Sequence, residues 1–260
     1  MTLQSFAVVR AFAVIAAIAA RADDADAPSA NPYQPTVTIP ASLTAPGWVE
    51  VELGGQSFRQ PDESSLSILP YSLKLSLTDN WAIRATGNAW IVGNGANGMH
   101  LSGMGDTSLL VKRRFAVDDK SAFAVELGPT FATSRRDLGQ TATASDLRLI
   151  YSADIGTLHT DANVILNEYS SKDAPRGASR SQATYAWAWS HGFNDQWGGV
   201  IEPSAIRQSG LPTATQLLAA ATYNYSKSVV VDLGATKGLN PQSPKWSAVL
   251  GVTFLAGRLF

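Results

Sequence analysis

The sequence predicts an all-β protein, a transmembrane antiparallel up-and-down β-barrel of 12 strands with short periplasmic turns and longer extracellular loops. Three observations predict it. Charged residues make up only 16 % of the 260 positions and apolar residues 45 %, against roughly 25 % charged in soluble domains. The longest uncharged apolar run is nevertheless Ala11–Ala20, far short of the ~18 residues a spanning helix needs. From Gly47 onward side-chain character alternates with the period of two that marks strands, and the connections between runs alternate between short and long.

Taken in order, residues 1–22 read as a cleaved secretory signal peptide. Arg10 supplies the charged region, Ala11–Ala20 the apolar region, and Ala20-Arg21-Ala22 the small-residue cleavage site. Residues 23–46 carry Pro28, Pro32, Pro35, Pro40 and Pro46, which a helix or a central strand does not tolerate. They read as an extended periplasmic segment leading into the first strand. Residues 47–260 form the barrel. Its runs are 47–58, 64–77, 81–92, 103–115, 121–132, 145–155, 157–168, 180–193, 196–206, 214–226, 228–236 and 244–256. Tight turns follow the even-numbered runs and longer loops the odd-numbered ones, as outer-membrane barrels sort them. An even strand count puts both ends of the barrel in the periplasm.

The faces agree with closure. In the eighth run Ala183, Tyr185, Trp187, Trp189, His191 and Phe193 share one face, with Gln182, Thr184, Ala186, Ala188, Ser190 and Gly192 on the other. Glu50, Glu52, Lys74, Arg84, Asp106, Lys112, Arg114, Glu126, Arg148, Asp154, Asp161, Glu202 and Asp232 all fall on the face opposite the apolar one, and are expected to face the lumen. Mixed signs on consecutive strands predict ion pairs, with Lys74, Arg84, Lys112, Arg114 and Arg148 facing Glu126, Asp106, Asp154 and Asp161. Arg113 and Glu168 have lipid-side parity but sit at strand ends, where a charge facing lipid costs little. Trp81, Phe115, Phe123, Phe193, Trp197, Tyr225 and Phe260 gather at the short-turn ends as an aromatic girdle.

Catalytic and metal chemistry find no support. The absence of Cys excludes disulfides and thiolate metal sites. His100, His159 and His191 form no metal-binding pair, and no cofactor is implied. A net charge of −1 gives no basic field for nucleic acid. A barrel phospholipase needs Ser and His within hydrogen-bond reach on the lipid face, whereas Ser190 and His191 lie at the opposite end and on opposite parities. The Gly93-Asn94-Gly95-Ala96-Asn97-Gly98 stretch lacks the Lys and the helix of a phosphate loop. An autotransporter would need a passenger longer than 23–46.

Gly103-Met104-Gly105-Asp106-Thr107, followed by Leu110-Val111-Lys112 and Phe115, resembles the G-x-G-D … K-x-R-F strand of the outer-membrane MetA-pathway of phenol degradation family. Ile68-Leu69-Pro70-Tyr71-Ser72-Leu73 with Leu77-Thr78-Asp79-Asn80-Trp81 is similar to the strand–turn–strand before that motif, and Gly251-Val252-Thr253-Phe254 to its end. The chain departs from it in the extra Leu255-Ala256-Gly257-Arg258-Leu259-Phe260. The resemblance implies an outer-membrane barrel that moves small, often aromatic or hydrophobic, compounds. It brings no site residues with it.

The main expectation is therefore a passive channel for a small-molecule solute in the bacterial outer membrane. A closed structural or surface-interaction barrel is the alternative, and an outer-membrane lipid hydrolase the third. A 12-strand lumen is intermediate between side-chain-filled and porin-sized barrels. The long loops carry Arg135, Arg136, Arg176 and Arg180. Their planar forks suit lipid phosphate, so outer-membrane lipid and lipopolysaccharide are the expected partners. The solute and the oligomeric state stay open.

Overall fold

The computed structural model describes residues 27–95, 98–135 and 138–260; the signal-peptide reading of 1–22 lies outside them. The strands are β1 (Trp48–Arg59), β2 (Ser65–Ser76), β3 (Trp81–Asn94), β4 (His100–Gly103), β5 (Thr107–Ala116), β6 (Ser121–Phe131) and β7 (Ala144–Ile155). They continue with β8 (Leu158–Glu168), β9 (Ser181–Gly192), β10 (Trp197–Gln208), β11 (Ala214–Ser226), β12 (Val229–Gly238) and β13 (Trp246–Arg258). Every pairing is antiparallel between chain neighbours, and β1 pairs with both β2 and β13, so the sheet closes on itself. β4 and β5 both lie on β3 and form one interrupted stave, which makes a ring of 12 staves.

The interruption at 104–106 is a difference from the continuous run expected there, and it goes with a tie to another loop. Asp106 turns out of the ladder to accept the backbone N–H groups of Ser134 (3.0 Å) and Gln140 (2.7 Å). Gly105 still donates to the Asn88 carbonyl at 2.8 Å, but any Cβ there would meet Asn88 Cβ at 2.9 Å. The G-x-G-D motif is thus an anchor for the loop between β6 and β7.

Alternation sets an inside-out distribution. Lys112, Glu50, Glu52, Glu126, Glu202 and Asp232 are among the largest fully buried side chains, while Leu109, Leu127, Leu149, Trp187, Ile201 and Leu233 are exposed on the outer face. The reverse would hold in a water-soluble sheet. Closure of the sheet leaves no free strand edge among the described residues, as a barrel in lipid requires. Trp81, Phe115, Phe123, Phe193, Trp197, Tyr225 and Phe260 are all exposed around the short-turn end, and Trp90, Phe131 and Trp246 around the other. Arg113 lies over the rings of Trp81 (5.0 Å) and Phe115 (4.8 Å), a cation–π seat for a charge at the girdle.

The short connections are 77–80, 117–120, 156–157, 193–196 and 227–228; the loops 132–143 and 169–180 are the longest at the opposite end. Polar contacts tie those outer loops to one another. Lys245 N–H donates to the Arg59 carbonyl (2.7 Å), Asn240 to the Thr213 carbonyl (2.8 Å) and Ser179 N–H to the Ser209 carbonyl (2.8 Å). Thr141 N–H then donates to Asp173 (2.8 Å).

The segment read as a periplasmic leader does not stay outside the barrel. Residues 30–46 enter the lumen from the short-turn end, where Ala30 N–H donates to the Lys227 carbonyl. They leave by the same end, where Gly47 N–H donates to the Ser76 carbonyl. The prolines keep this segment free of helix and strand. A lumen lined with acceptors and cations suits such a backbone, because the N–H groups of Asn31, Tyr33, Val37, Thr38, Ile39 and Ala41 all find side-chain partners there.

Candidate functional site

The site is the lumen with this inward loop in it. A backbone taken out of water needs partners for its donors and acceptors, and Pro32, Pro35 and Pro40 reduce the number of donors. The wall supplies the rest. Asn31 N–H donates to Glu50 (2.7 Å) and Tyr33 N–H to Glu52 (2.6 Å). Val37 and Thr38 N–H both donate to the Glu202 carboxylate, at 2.9 and 2.8 Å. Ile39 N–H donates to Asn163 Oδ1 (2.9 Å) and Ala41 N–H to Ser152 Oγ (2.7 Å). The carbonyls meet cations instead: Lys74 donates to Asn31 O (2.6 Å), Arg148 Nη1 to Val37 O (2.7 Å), and Lys112 to Pro40 O and Ser42 O.

Tyr33 is the buried centre of the loop. Lys74 Nζ lies 3.7 Å and Lys112 Nζ 4.6 Å from its ring centroid, and Lys112 also donates to its hydroxyl at 2.9 Å. Tyr33, Ile39 and Ala41 form one apolar cluster with Ala122, Ala124 and Ile150 of the wall. The loop therefore packs against the wall of β1, β2 and β5 to β8. On the opposite wall Glu202 of β10 reaches the tip, while Ala188, Ser190, Gly198, Val200 and Thr222 nearer the short-turn mouth are small.

Those small residues leave space. A cavity of about 510 Å³ opens at the short-turn mouth and shares His159, Ser190, Val200 and Thr222 with a second of about 360 Å³ that runs along Pro32, Gln34 and Pro35 of the loop. His159 sits between two carboxylates, with Nδ1 2.6 Å from Asp154 and Nε2 3.3 Å from Asp161. Beyond the tip of the loop, a third cavity of about 220 Å³ lies between Arg84, Arg148, Asp146 and Asn167. The lumen is thus a vestibule, a barrier at Val37 and Thr38, and a separate polar chamber.

The ion pairs differ in part from those the parity suggested: Glu126 does take Arg84 and Arg148, but the others change partners. Lys74 pairs with Glu50 and Glu52, which were not among the acids expected to take a cation. Arg84 makes a bidentate pair with Glu126 (Nε 3.0 Å, Nη2 2.5 Å), crossing from β3 to β6 over the intervening β5. Arg148 Nε lies 3.9 Å from the same Glu126. Lys112 takes loop carbonyls, not a carboxylate, and Asp154 and Asp161 take His159, not an Arg or Lys. Arg114, half-buried, has its N–H on the Asn80 carbonyl at the short-turn end. Asp106 serves the outer loop described above. Asp232 is buried against Gly251, whose missing side chain leaves its carboxylate beside Gln34 of the loop.

Of the loop arginines, Arg180 is tied within its own loop, to the Tyr169 carbonyl (3.0 Å) and Glu168 (3.3 Å). Arg176 is exposed, Arg135 carries its loop's turn through its carbonyl, and Arg136 lies outside the described residues. Ser190 lines the vestibule while His191 is bonded to the Thr157 carbonyl at 2.9 Å and packs on Phe193. Ser152, Asp161 and His159 are linked, but the carboxylate stands between hydroxyl and imidazole, so the two are not arranged as a nucleophile with its imidazole base. No group of His, Asp and Glu suited to a metal ion occurs among the described residues.

No family model matches the chain, and no curated protein matches it. Solved structures do. An outer membrane channel from Pseudomonas putida F1 aligns with a TM-score of 0.63 at 13 % identity, over 83 % of this chain and 97 % of that one. The chain has the fold of that channel. The NanC porin aligns at a TM-score of 0.56 and 10 % identity over 79 % of this chain and 98 % of that one, and the KdgM porin at 0.53 and 8 % over the same shares. At these identities the likeness is one of fold. The barrel implied by the MetA-pathway resemblance is the architecture found; membership of that family is not shown.

Proposed function

We propose that this chain is an outer-membrane channel for passive passage of small solutes, exported by a cleaved leader. The inside-out barrel carries the reading: an apolar, girdled exterior around a charged, cavity-bearing lumen. The neighbours named as an outer membrane channel and as porins support it. Small aromatic or hydrophobic compounds are the solutes suggested by the family resemblance. Because the loop of residues 30–46 occupies the short-turn half of the lumen, the resting conductance is low and rises when the loop is removed. The test is planar-bilayer recording of the intact protein beside a variant lacking 27–46. Conductance several times higher in the deletion variant is expected.

The loop's many buried bonds favour a second reading, a permanently closed structural barrel. A deletion variant that inserts, shifts on heating and still passes no current would establish it. As part of the first reading we place lipopolysaccharide phosphate at the arginine-bearing outer loops. Arg176→Gln should lower thermal stability in lipopolysaccharide and leave it unchanged in neutral detergent. Arg180→Gln should lower it in both, because Arg180 also holds Glu168 and Tyr169. An Arg176→Gln loss of equal size in both media would return Arg176 to an intramolecular role.

A further inference from the structure

The chamber beyond the loop tip holds a guanidinium that is only partly used. Arg148 spends Nη1 on the Val37 carbonyl (2.7 Å) and Asn163 Oδ1 (3.2 Å). Its Nε is 3.9 Å from Glu126, beyond hydrogen-bond reach. Glu126 itself is already engaged on both oxygens by Arg84. Asp146, on the same wall, is engaged on both oxygens by Thr130 and Asn167. Among the described residues, then, neither Nε nor Nη2 of Arg148 makes a hydrogen bond, although this side chain is only 17 % exposed. That edge of a guanidinium is the one that receives a planar carboxylate through two parallel bonds.

The space beside it suits a small molecule with an apolar body. The cavity measures about 220 Å³, roughly seven waters' share of the liquid. Leu110 and Ile165 line it together with the polar groups, so one part of an occupant meets charge and another meets aliphatic carbon. Resting on the channel reading above, we propose that this chamber is a binding site for small organic monocarboxylates, held by the Nε and Nη2 edge of Arg148 with the hydrocarbon part against Leu110 and Ile165. The carboxylate of the ligand completes the fork that Glu126 is too far away to fill. Arg84 is not the anchor, because its own fork is closed by Glu126. The site lies on the long-loop side of the barrier at Val37 and Thr38, so a solute arriving from that side reaches it before meeting the loop.

Calorimetry on the full-length protein in non-ionic detergent tests this, with benzoate as the probe and benzamide as its neutral counterpart. Benzoate should bind at least tenfold more tightly than benzamide. Arg148→Gln should remove the difference, and Arg148→Lys, which keeps a cation but not the fork, should weaken benzoate at least tenfold. Lys172→Gln, exposed at the outer rim, should change nothing. Because Arg148→Gln also frees the Val37 carbonyl, the heat-shifted gel mobility of each variant is checked first, and Arg148→Lys carries the test if the Gln variant does not fold. Equal affinity for benzoate and benzamide, or full benzoate affinity in Arg148→Lys, would overturn the site. A protein that conducts but fails these tests keeps its channel reading and loses this site. One that binds benzoate through Arg148 but never conducts keeps the site and loses the channel.

Discussion

At the scale of residues, Glu202 is the wall's firmest hold on the inward loop, because one carboxylate accepts two consecutive backbone N–H groups. Hydrogen bonds to a charged acceptor contribute about 1.5–3 kcal/mol each, so Glu202→Gln, which can still accept one, should loosen the tip without unfolding the barrel. The chain has no Cys, which makes a single reporter clean. In a Thr38→Cys background, labelling by a charged maleimide should be slow at the buried tip and severalfold faster once Glu202→Gln is added; an unchanged rate would show that the tip is held by packing alone. Parity in the sequence was enough to put Glu202 opposite the apolar face. It could not name the partner, because a backbone N–H leaves no trace in residue type. Arg84 was expected to meet an acid such as Glu126, but on a neighbouring strand; long side chains reach across an open lumen over a whole strand, so adjacency in the sheet is a poor guide to pairing there.

Elements were more legible. Strand bounds read from alternation lie within a few residues of those observed, since a one-residue slip would turn every apolar side chain inward. The break between β4 and β5 escaped because its cause, Asp106 reaching to Ser134 and Gln140, lies in a different loop. The proline-rich segment was expected outside the barrel and lies within it, because proline constrains φ and donors but not location. Among the outer loops, Asp173 joins 169–180 to 132–143. The hydroxyl of Ser170, followed by Thr141, holds its carboxyl down at about 2. A carboxyl whose value is depressed on folding contributes stability above its unfolded value of roughly 4 and loses it as pH falls towards the folded one. Exchange at the Thr141 and Ala142 amides should therefore stay slow from neutral pH down to about 4, and rise as pH falls through about 2. Asp173→Asn should bring the fast exchange to neutral pH, and slow exchange in that variant would move the tie elsewhere.

For the whole molecule, the surrounding solvent decides which face tolerates charge. Leu233 lies in the middle of β12 and points outward, whereas Leu158 opens β8 at the short-turn rim. In lipid vesicles Leu233→Arg should cost about 2–4 kcal/mol and Leu158→Arg about 0–1, read from urea unfolding. Equal costs would mean that this face does not lie against hydrocarbon.

The inward loop enters and leaves the lumen through one mouth, with Ala30 at the Lys227 turn and Gly47 beside Ser76. A chain that passes in and out of the same opening is not threaded. It can be drawn out of a finished barrel, or folded into one, without parting β1 from β13 or any other pair of staves. Order of assembly is therefore free: the wall can close first and the loop can follow, while the sheet around it stays intact.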